Sequence, residues 1–309
     1  MPHTPPALPP EIIVLERSWL SANNVLFLGG DGATALVDSG YCSNAAQTVA
    51  LVASALGGRP LDLLLNTHLH SDHCGGNAAL QARWPAVQTW IPPGQWEQVQ
   101  HWDPVALSYT PTGQDCPRFR ADARLLPGTE VQLGGRAWQV HAAPGHDNHA
   151  VLLYEPETRL LISGDALWEN GFGVVFPELD GEDAFTEVGA TLDLIERLQP
   201  ITVIPGHGGV FADVPEAITR ARRRLAGFVA DPMKHARYAA KVLLKYKLLE
   251  WRQAPLARVQ AWLAATPYYV RLHQRYFADR SMEQWTAELV QDLITTGAAR
   301  LDGDTLHDA

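Results

Sequence analysis

The chain has 309 residues, 46% of them hydrophobic, which suffices for a large core. A formal net charge of −10 excludes a general polyanion binder. Three cysteines, Cys42, Cys74 and Cys116, are too few for a disulfide framework and suit a reducing, cytoplasmic setting.

The opening "MPHTPPALPP" lacks a basic n-region and an apolar h-region, so it reads as a disordered Pro-rich tail over 1–10 and not as a signal peptide. No apolar run reaches the roughly 18 residues of a membrane span. "EIIVLERSWL", "NVLFLGG" and "ATALVDSG" are strand candidates separated by Gly-rich turns. "SNAAQTVALVASALGG" reads as a helix, with Ser43 as N-cap and Gly57 as C-cap. "LDLLLNT" is a continuous apolar run of the kind a strand buried on both faces carries. "AALQARW" follows as a helix and "VQTWIP" as a strand. A hairpin turned at Gly134-Gly135 is expected next, then a second turning through Pro156 to Thr158. Residues 182–199 form an amphipathic helix, and "ITVIPGH" is the next strand. Hairpins mixed with a few helices indicate a sandwich covered by helices.

The charge is unevenly placed. Residues 1–213 carry 9 Lys/Arg against 24 Asp/Glu, whereas 214–280 carry 14 against 4. The asymmetry predicts a boundary near 213, with 11–213 as one domain and 214–309 as a smaller one. "KHARYAAKVLLKYKLLEW", "PLARVQAWLAAT" and "SMEQWTAELVQDLITTGAARLDGDTLHD" read as three helices and a short β-wing.

The stretch "LLLNTHLHSDHCGGN" puts His68, His70, Asp72 and His73 within six positions at the end of a strand. If the chain stays extended there, His68 and His70 share a face. Further candidates stand at later strand ends in Gly-rich context: His146 in "AAPGHDNHA", Asp165 in "LLISGDALW" and His207 in "VIPGHGG". Glycine allows the close backbone approach of a loop wrapping an ion. Five imidazoles and two carboxylates suit zinc, and iron or manganese also fit such a set. Seven ligands exceed one four-coordinate ion but fit a pair about 3.5–4 Å apart, bridged by a carboxylate and a water.

His3, His101, His141, His235, His273 and His307 lack such context and read as solvated side chains, and His149 as structural. Cys74 reads as a small buried residue at a helix start. "WIPPGQWEQVQHWD" is either a substrate wall or core packing. Trp168, Asn170, Phe172 and Phe176 follow Asp165 on one loop and are expected to line a pocket.

"THLHSDHCGG", "APGH", "SGD" and "PGHGG", in that order and preceded by "LVDSG", resemble the metallo-β-lactamase superfamily, in the branch containing glyoxalase II and the lactamase-beta-like endoribonucleases. The resemblance covers residues 11 to about 213 and implies an α+β fold, a four-layer αββα sandwich with metals at one edge. It further implies that His68, His70 and His146 hold the first metal, that Asp72, His73 and His207 hold the second, and that Asp165 bridges. Asp38 would tie loops together beneath the site. Residues 214–309 resemble the winged-helix appendage of the lactamase-beta-like branch, not the glutathione-binding domain of glyoxalase II.

The resulting expectation is a dinuclear zinc hydrolase. A bridging water, ionised near neutral pH, attacks a thioester, ester or lactone carbonyl. One metal polarises the carbonyl. Asp72 orients the water and passes a proton to the leaving group. Two alternatives stay open. A nuclease or phosphodiesterase would use the basic face of Arg222, Arg223, Arg224, Lys241, Lys245 and Lys247 on nucleic acid. A persulfide dioxygenase-like protein would hold a single iron. The expected partner is a small-molecule substrate, without a membrane; a homodimer is compatible with the sequence.

Overall fold

A computed structural model describes residues 7–30 and 32–309. Residues 1–6 of the expected tail, His3 included, lie outside the described residues. In chain order the first part contains β1 (Ile12–Leu15), β2 (Asn24–Phe27), β3 (Ala35–Val37), α1 (Ala45–Leu56), β4 (Leu63–Leu65), α2 (Ser71–Cys74), α3 (Asn77–Arg83), β5 (Gln88–Ile91), α4 (Trp96–His101), α5 (Tyr109–Thr112) and β6 (Ala123–Arg124). Then come β7 (Glu130–Leu133), β8 (Arg136–Ala142), β9 (Val151–Glu155), β10 (Leu160–Gly164), α6 (Phe176–Asp180), α7 (Ala184–Leu198), β11 (Thr202–Pro205) and α8 (Val214–Ala230).

Two sheets form the centre. One has the order β1-β2-β3-β4-β5-β6 and the other β11-β10-β9-β8-β7. In the first, β1 to β3 pair antiparallel and β3 to β6 parallel. The parallel strand β4 is the apolar "LLL" run, as burial on both faces requires. The expected hairpins are present. Gly134 and Gly135 both take left-handed φ, 59° and 76°, which the tight β7–β8 turn needs.

The inner faces of the sheets share one core that includes Phe27, Val37, Leu65, Trp138, Val140, Leu153, Ile162 and Ile204. Each large side chain removed from water there is worth about 1.5–3 kcal/mol. On the outer face of the first sheet, Leu26, Leu36 and Leu64 pack with Val52 and Leu56 of α1 and Leu80 of α3. On the second sheet, α7 buries Val188, Leu192 and Ile195. Thr191 also donates to the Pro144 carbonyl at 2.8 Å. The architecture is the αββα sandwich. Gly57 ends α1 as expected, but the N-cap is Asn44; Ser43 sits in the short 3-10 turn that precedes the helix.

The chain forms two compact units. One comprises the residues up to Leu107 together with Asp115–Ala226, the other Ser108–Gln114 with Gly227–Ala309. The division falls inside α8, whereas the charge shift pointed to 213. The reason is local. Arg220 and Arg222 at the start of the basic stretch bond Glu169, Asp193 and Glu196 within the first unit.

Besides α5, the second unit contains α9 (Pro232–Trp251), β12 (Gln253–Pro255), α10 (Leu256–Ala265), α11 (Pro267–Tyr276), α12 (Met282–Thr295), β13 (Ala299–Asp302) and β14 (Thr305–Asp308). Its strands form a sheet in the order β12-β14-β13. Phe277 stacks on fully buried Trp285 with centroids 5.0 Å apart. The unit is mainly helical, as expected, but α11 was not anticipated. Pro267 looks like a break in the sequence, yet it occupies the first turn of the helix, where a missing N–H is harmless.

Candidate metal centre

Strand β4 delivers Asn66, Thr67 and His68 to the sheet edge, and the chain then turns into α2. His70 precedes that helix in extended conformation, and one helical turn carries Asp72 and His73. His146 lies in the loop between β8 and β9, Asp165 directly after β10, and His207 two residues after β11. The structure brings all seven together in two groups, His68–His70–His146 and Asp72–His73–Asp165–His207. Within each group the ligand-capable atoms lie within 4.8 Å of one another.

The geometry within the groups is specific. His146 Nε2 stands 2.8 Å from His70 Nδ1 and 3.3 Å from His68 Nε2, so three ring nitrogens face one point. In the second group, His207 Nε2 lies 3.1 Å from Asp72 Oδ2, and His73 Nε2 lies 3.3 Å from Asp165 Oδ1. Asp165 turns its two oxygens to different groups: Oδ2 is 3.4 Å from His146 Nε2, while Oδ1 faces His73.

Groups behind the ligands fix which nitrogen is available. Asp38 Oδ2 lies 2.8 Å from His73 Nδ1, leaving Nε2 for the cluster. The same carboxylate accepts from the Thr67 amide at 2.9 Å and its hydroxyl at 2.8 Å. His68 Nδ1 in turn faces the Thr67 hydroxyl at 3.1 Å. His146 Nδ1 donates to the Val174 carbonyl at 2.5 Å. Asp38 holds a left-handed φ of 59°, a strained conformation for a residue other than glycine, at the point where it serves the site. Glycines nearby let backbone approach. A Cβ at Gly206 would strike Asp165 Oδ1 and His73, and one at Gly173 would strike the His146 ring.

The electrostatics favour a cation in the second group and neutral imidazoles at His68 and His146. Burial lowers the His73 pKa, but Asp165, Asp38 and Asp72 outweigh it and hold the ring well above the usual histidine range. Burial, joined by repulsion from neighbouring histidines, pushes His68 far down and His146 to about 4. Burial would raise Asp165 and Asp72, yet the surrounding histidines keep both below the ordinary carboxylate range. A metal ion fits this donor set on one further observation. His73 Nε2 is buried with no hydrogen-bond partner among the described residues, a costly state that a metal bond would relieve.

The four loop residues expected to line a pocket divide. The Trp168 ring meets His207 edge-on at 5.4 Å, and Phe176 meets His70 at 5.0 Å. Asn170 is exposed, and Phe172 is buried at 1% exposure. In the 90–102 run, Trp90 packs on the core, Trp96 lies under Arg124 at 4.9 Å and Trp102 packs on Phe119. Cys74 is buried and Cys116 Sγ is 3.8 Å from its sulfur; neither belongs to the clusters. His101 and His149 are exposed, His141, His273 and His307 partly so. His235 departs from the solvated reading: it is 1% exposed, against Phe228 at 4.8 Å.

Sequence reasoning missed several supports. Buried Asn23 donates to the Pro205 and Gly208 carbonyls at 3.0 and 2.8 Å and so holds the His207 loop. Asn66 donates to the His73 carbonyl at 3.1 Å. Asp147 stands 3.7 Å from His70 Nε2. Apart from these supports, the Trp19 ring lies flat against His207. The one available signal was the polar pair "NN" entering an apolar strand. Most of the expected basic face is engaged internally. Arg222 meets Asp193 and Glu196, Arg224 the carbonyls of Asn170 and Phe172, Lys241 Asp292, Lys245 Asp308 and Lys247 Glu250.

Known proteins share parts of this sequence and its fold. The chain is 37% identical over 192 residues to the hydroxyacylglutathione hydrolase of Anaeromyxobacter dehalogenans (strain 2CP-C), covering 62% of this chain and 63% of that protein. It is 26% identical over 229 residues to the acyl-coenzyme A thioesterase MBLAC2 of Gallus gallus, covering 64% and 77%. The chain spans 48% and 63% of the lengths of two hydroxyacylglutathione hydrolases it matches. A metallo-beta-lactamase family protein from Thermus thermophilus shares the fold, with a TM-score of 0.59 at 20% identity over 98% of this chain and all of that one. The model of the metallo-beta-lactamase superfamily matches residues 19–207, from the stacked Trp19 to the last clustered histidine, and the chain belongs to that superfamily.

Proposed function

We propose that the chain is a dinuclear metal-dependent hydrolase acting on a carbonyl substrate, a thioester in the first place and an ester or lactone by the same chemistry. The observation that carries this reading is Asp165, which offers one oxygen to each cluster. His68, His70 and His146 would hold one metal, Asp72, His73 and His207 the other, and Asp165 both. Zinc suits the nitrogen and oxygen donors, and iron or manganese fits the same set. The names of the relatives, a hydroxyacylglutathione hydrolase and an acyl-coenzyme A thioesterase, favour a thioester.

When bound, the metal pair supplies Lewis acidity that ionises water near neutral pH and polarises the carbonyl. The chain's own residues do the rest. Asp38 fixes His73, and Val174 fixes His146, so both rings present Nε2 inward. Asp72 is held below the ordinary carboxylate range: burial opposes this, but His73 and His207 prevail. It is therefore ionised at neutral pH and can take a proton from the attacking water and return it to the leaving thiolate. Trp168 and Phe176 wall the cluster on opposite sides. Phe172 is left out of that wall because it is buried.

The second unit, with helices α9 to α12 and a three-stranded sheet, is read as a winged-helix-like appendage, and the domain boundary is placed within α8. Three free thiols suit a cytoplasmic setting, and no helix of the described residues is long and apolar enough to cross a membrane. Internal pairing of the basic side chains favours a small-molecule substrate over nucleic acid. The complete second cluster favours two metals over one iron. The test is hydrolysis of S-acetyl-N-acetylcysteamine by the metal-loaded chain. Turnover that stops with a chelator, returns with zinc and falls at least about 100-fold in Asp72→Ala supports the reading. Absence of esterase and thioesterase turnover in the loaded protein overturns it.

A further inference from the structure

Aromatic rings flank both ends of the cluster. On the first side Phe176 meets His70 at 5.0 Å and His146 at 5.7 Å. On the second, Trp19 lies almost parallel to the His207 imidazole, with centroids 5.4 Å apart and 8° between planes. Trp168 stands edge-on to both, 5.5 Å from Trp19 and 5.4 Å from His207. Trp168 is tied down, its Nε1–H donating to Asp165 Oδ1 at 3.2 Å. Trp19 remains 59% exposed, the one aromatic ring among the exposed large apolar side chains of the described residues. An open indole beside clustered ligands is unlike a scattered surface apolar residue, because binding sites combine apolar walls with a few convergent polar groups.

Two arginines on this rim are already engaged. Arg220 Nε donates to the Glu169 carbonyl at 2.7 Å, and Arg224 Nη1 to the Phe172 carbonyl at 3.2 Å. The rim therefore offers a π face to an incoming group, with those two guanidiniums turned onto backbone carbonyls. From this we infer that Trp19 is a specificity-determining residue, whose open face takes a neutral apolar or aryl group next to the scissile carbonyl on the His207 side. The inference rests on the hydrolase reading and narrows its substrates to apolar or aryl acyl thioesters. An aromatic contact of this kind gains more from a flat apolar group than from a methyl, which buries less area against it.

The test compares metal-loaded wild type, Trp19→Ala and Trp19→Phe on S-phenylacetyl- and S-acetyl-N-acetylcysteamine, with metal content measured for each. Binding of phenylacetate and acetate is measured by calorimetry on the same proteins. Trp19→Ala should raise KM for the phenylacetyl thioester about tenfold and leave the acetyl KM within about twofold, with kcat and metal content near wild type. Trp19→Phe should restore most of the difference. Wild type should bind phenylacetate about tenfold tighter than acetate, and Trp19→Ala should lose that preference. Equal changes for both thioesters and both acids overturn the inference. Metal loss in both variants does so too, since Trp19 would then only support His207. If wild type hydrolyses neither thioester, the hydrolase reading fails, and the acid-binding comparison alone decides the role of Trp19.

Discussion

Replacing Asp38 by Asn changes charge and little else. The side chain keeps its size, and Asn tolerates the left-handed φ of 59° that the position requires. What changes is the oxygen that faces both the Thr67 hydroxyl at 2.8 Å and His73 Nδ1 at 2.8 Å. An amide nitrogen there would confront a donor with a donor. Rotating the amide instead sets it against the Thr67 amide, which bonds the other oxygen at 2.9 Å. His73 must then turn away or carry its proton on Nε2, the atom aimed at the cluster. Removing such a support typically costs 10–100-fold in metal affinity, or about 1.4–2.7 kcal/mol. The assay is competition between the protein and a chelator of known affinity, read as metal retained per chain. Asp38→Asn should retain the metal of one group and release that of the other at chelator concentrations that leave wild type loaded. Equal retention of both metals by Asp38→Asn and wild type would refute the claim that Asp38 sets the His73 tautomer.

Three other outcomes follow from named contacts. Gly206→Ala should lose metal from the Asp72–His73–Asp165–His207 group while staying folded, because its Cβ falls on Asp165 and His73; metal analysis with circular dichroism checks this. Charge reversal at exposed Arg223 should leave thioester turnover within about threefold and produce no change in RNA binding, measured by filter retention across a salt series. In the second unit, Arg237 donates to both oxygens of Asp292 and lowers its pKa, with burial opposing and Lys241 assisting. A depressed carboxylate contributes stability above its unfolded value, near pH 4, and loses it as pH falls through the folded value. Asp292→Asn should therefore cost about 0.5–1 kcal/mol at pH 7 in urea unfolding, with the gap closing toward pH 3.

The candidate ligands were legible because metal chemistry crowds unusual residue types into short, Gly-rich strand ends. The hairpins and the apolar β4 run were legible because period and turn chemistry are local. What stayed hidden is what depends on distant partners. Trp19 means nothing until His207 stacks on it, and Asn23 nothing until the β11 loop accepts its protons. Phe172 precedes α6 and Phe176 opens it, and nothing local distinguishes the ring that is buried beside Arg224 from the ring that meets His70. The basic stretch is a similar case. Its arginines answer acidic side chains and carbonyls contributed by α7 and the Trp168 loop, which no composition window can see.

On the proposed reading, Asp165 joins two metal sites. Metal content per chain, measured by mass spectrometry on wild type and Asp165→Ala after dialysis against the same zinc buffer, tests it directly. Wild type should bind about two equivalents and Asp165→Ala at most about one, since two cations so close repel without the carboxylate between them. Two equivalents retained by Asp165→Ala, or none bound by wild type, would contradict it.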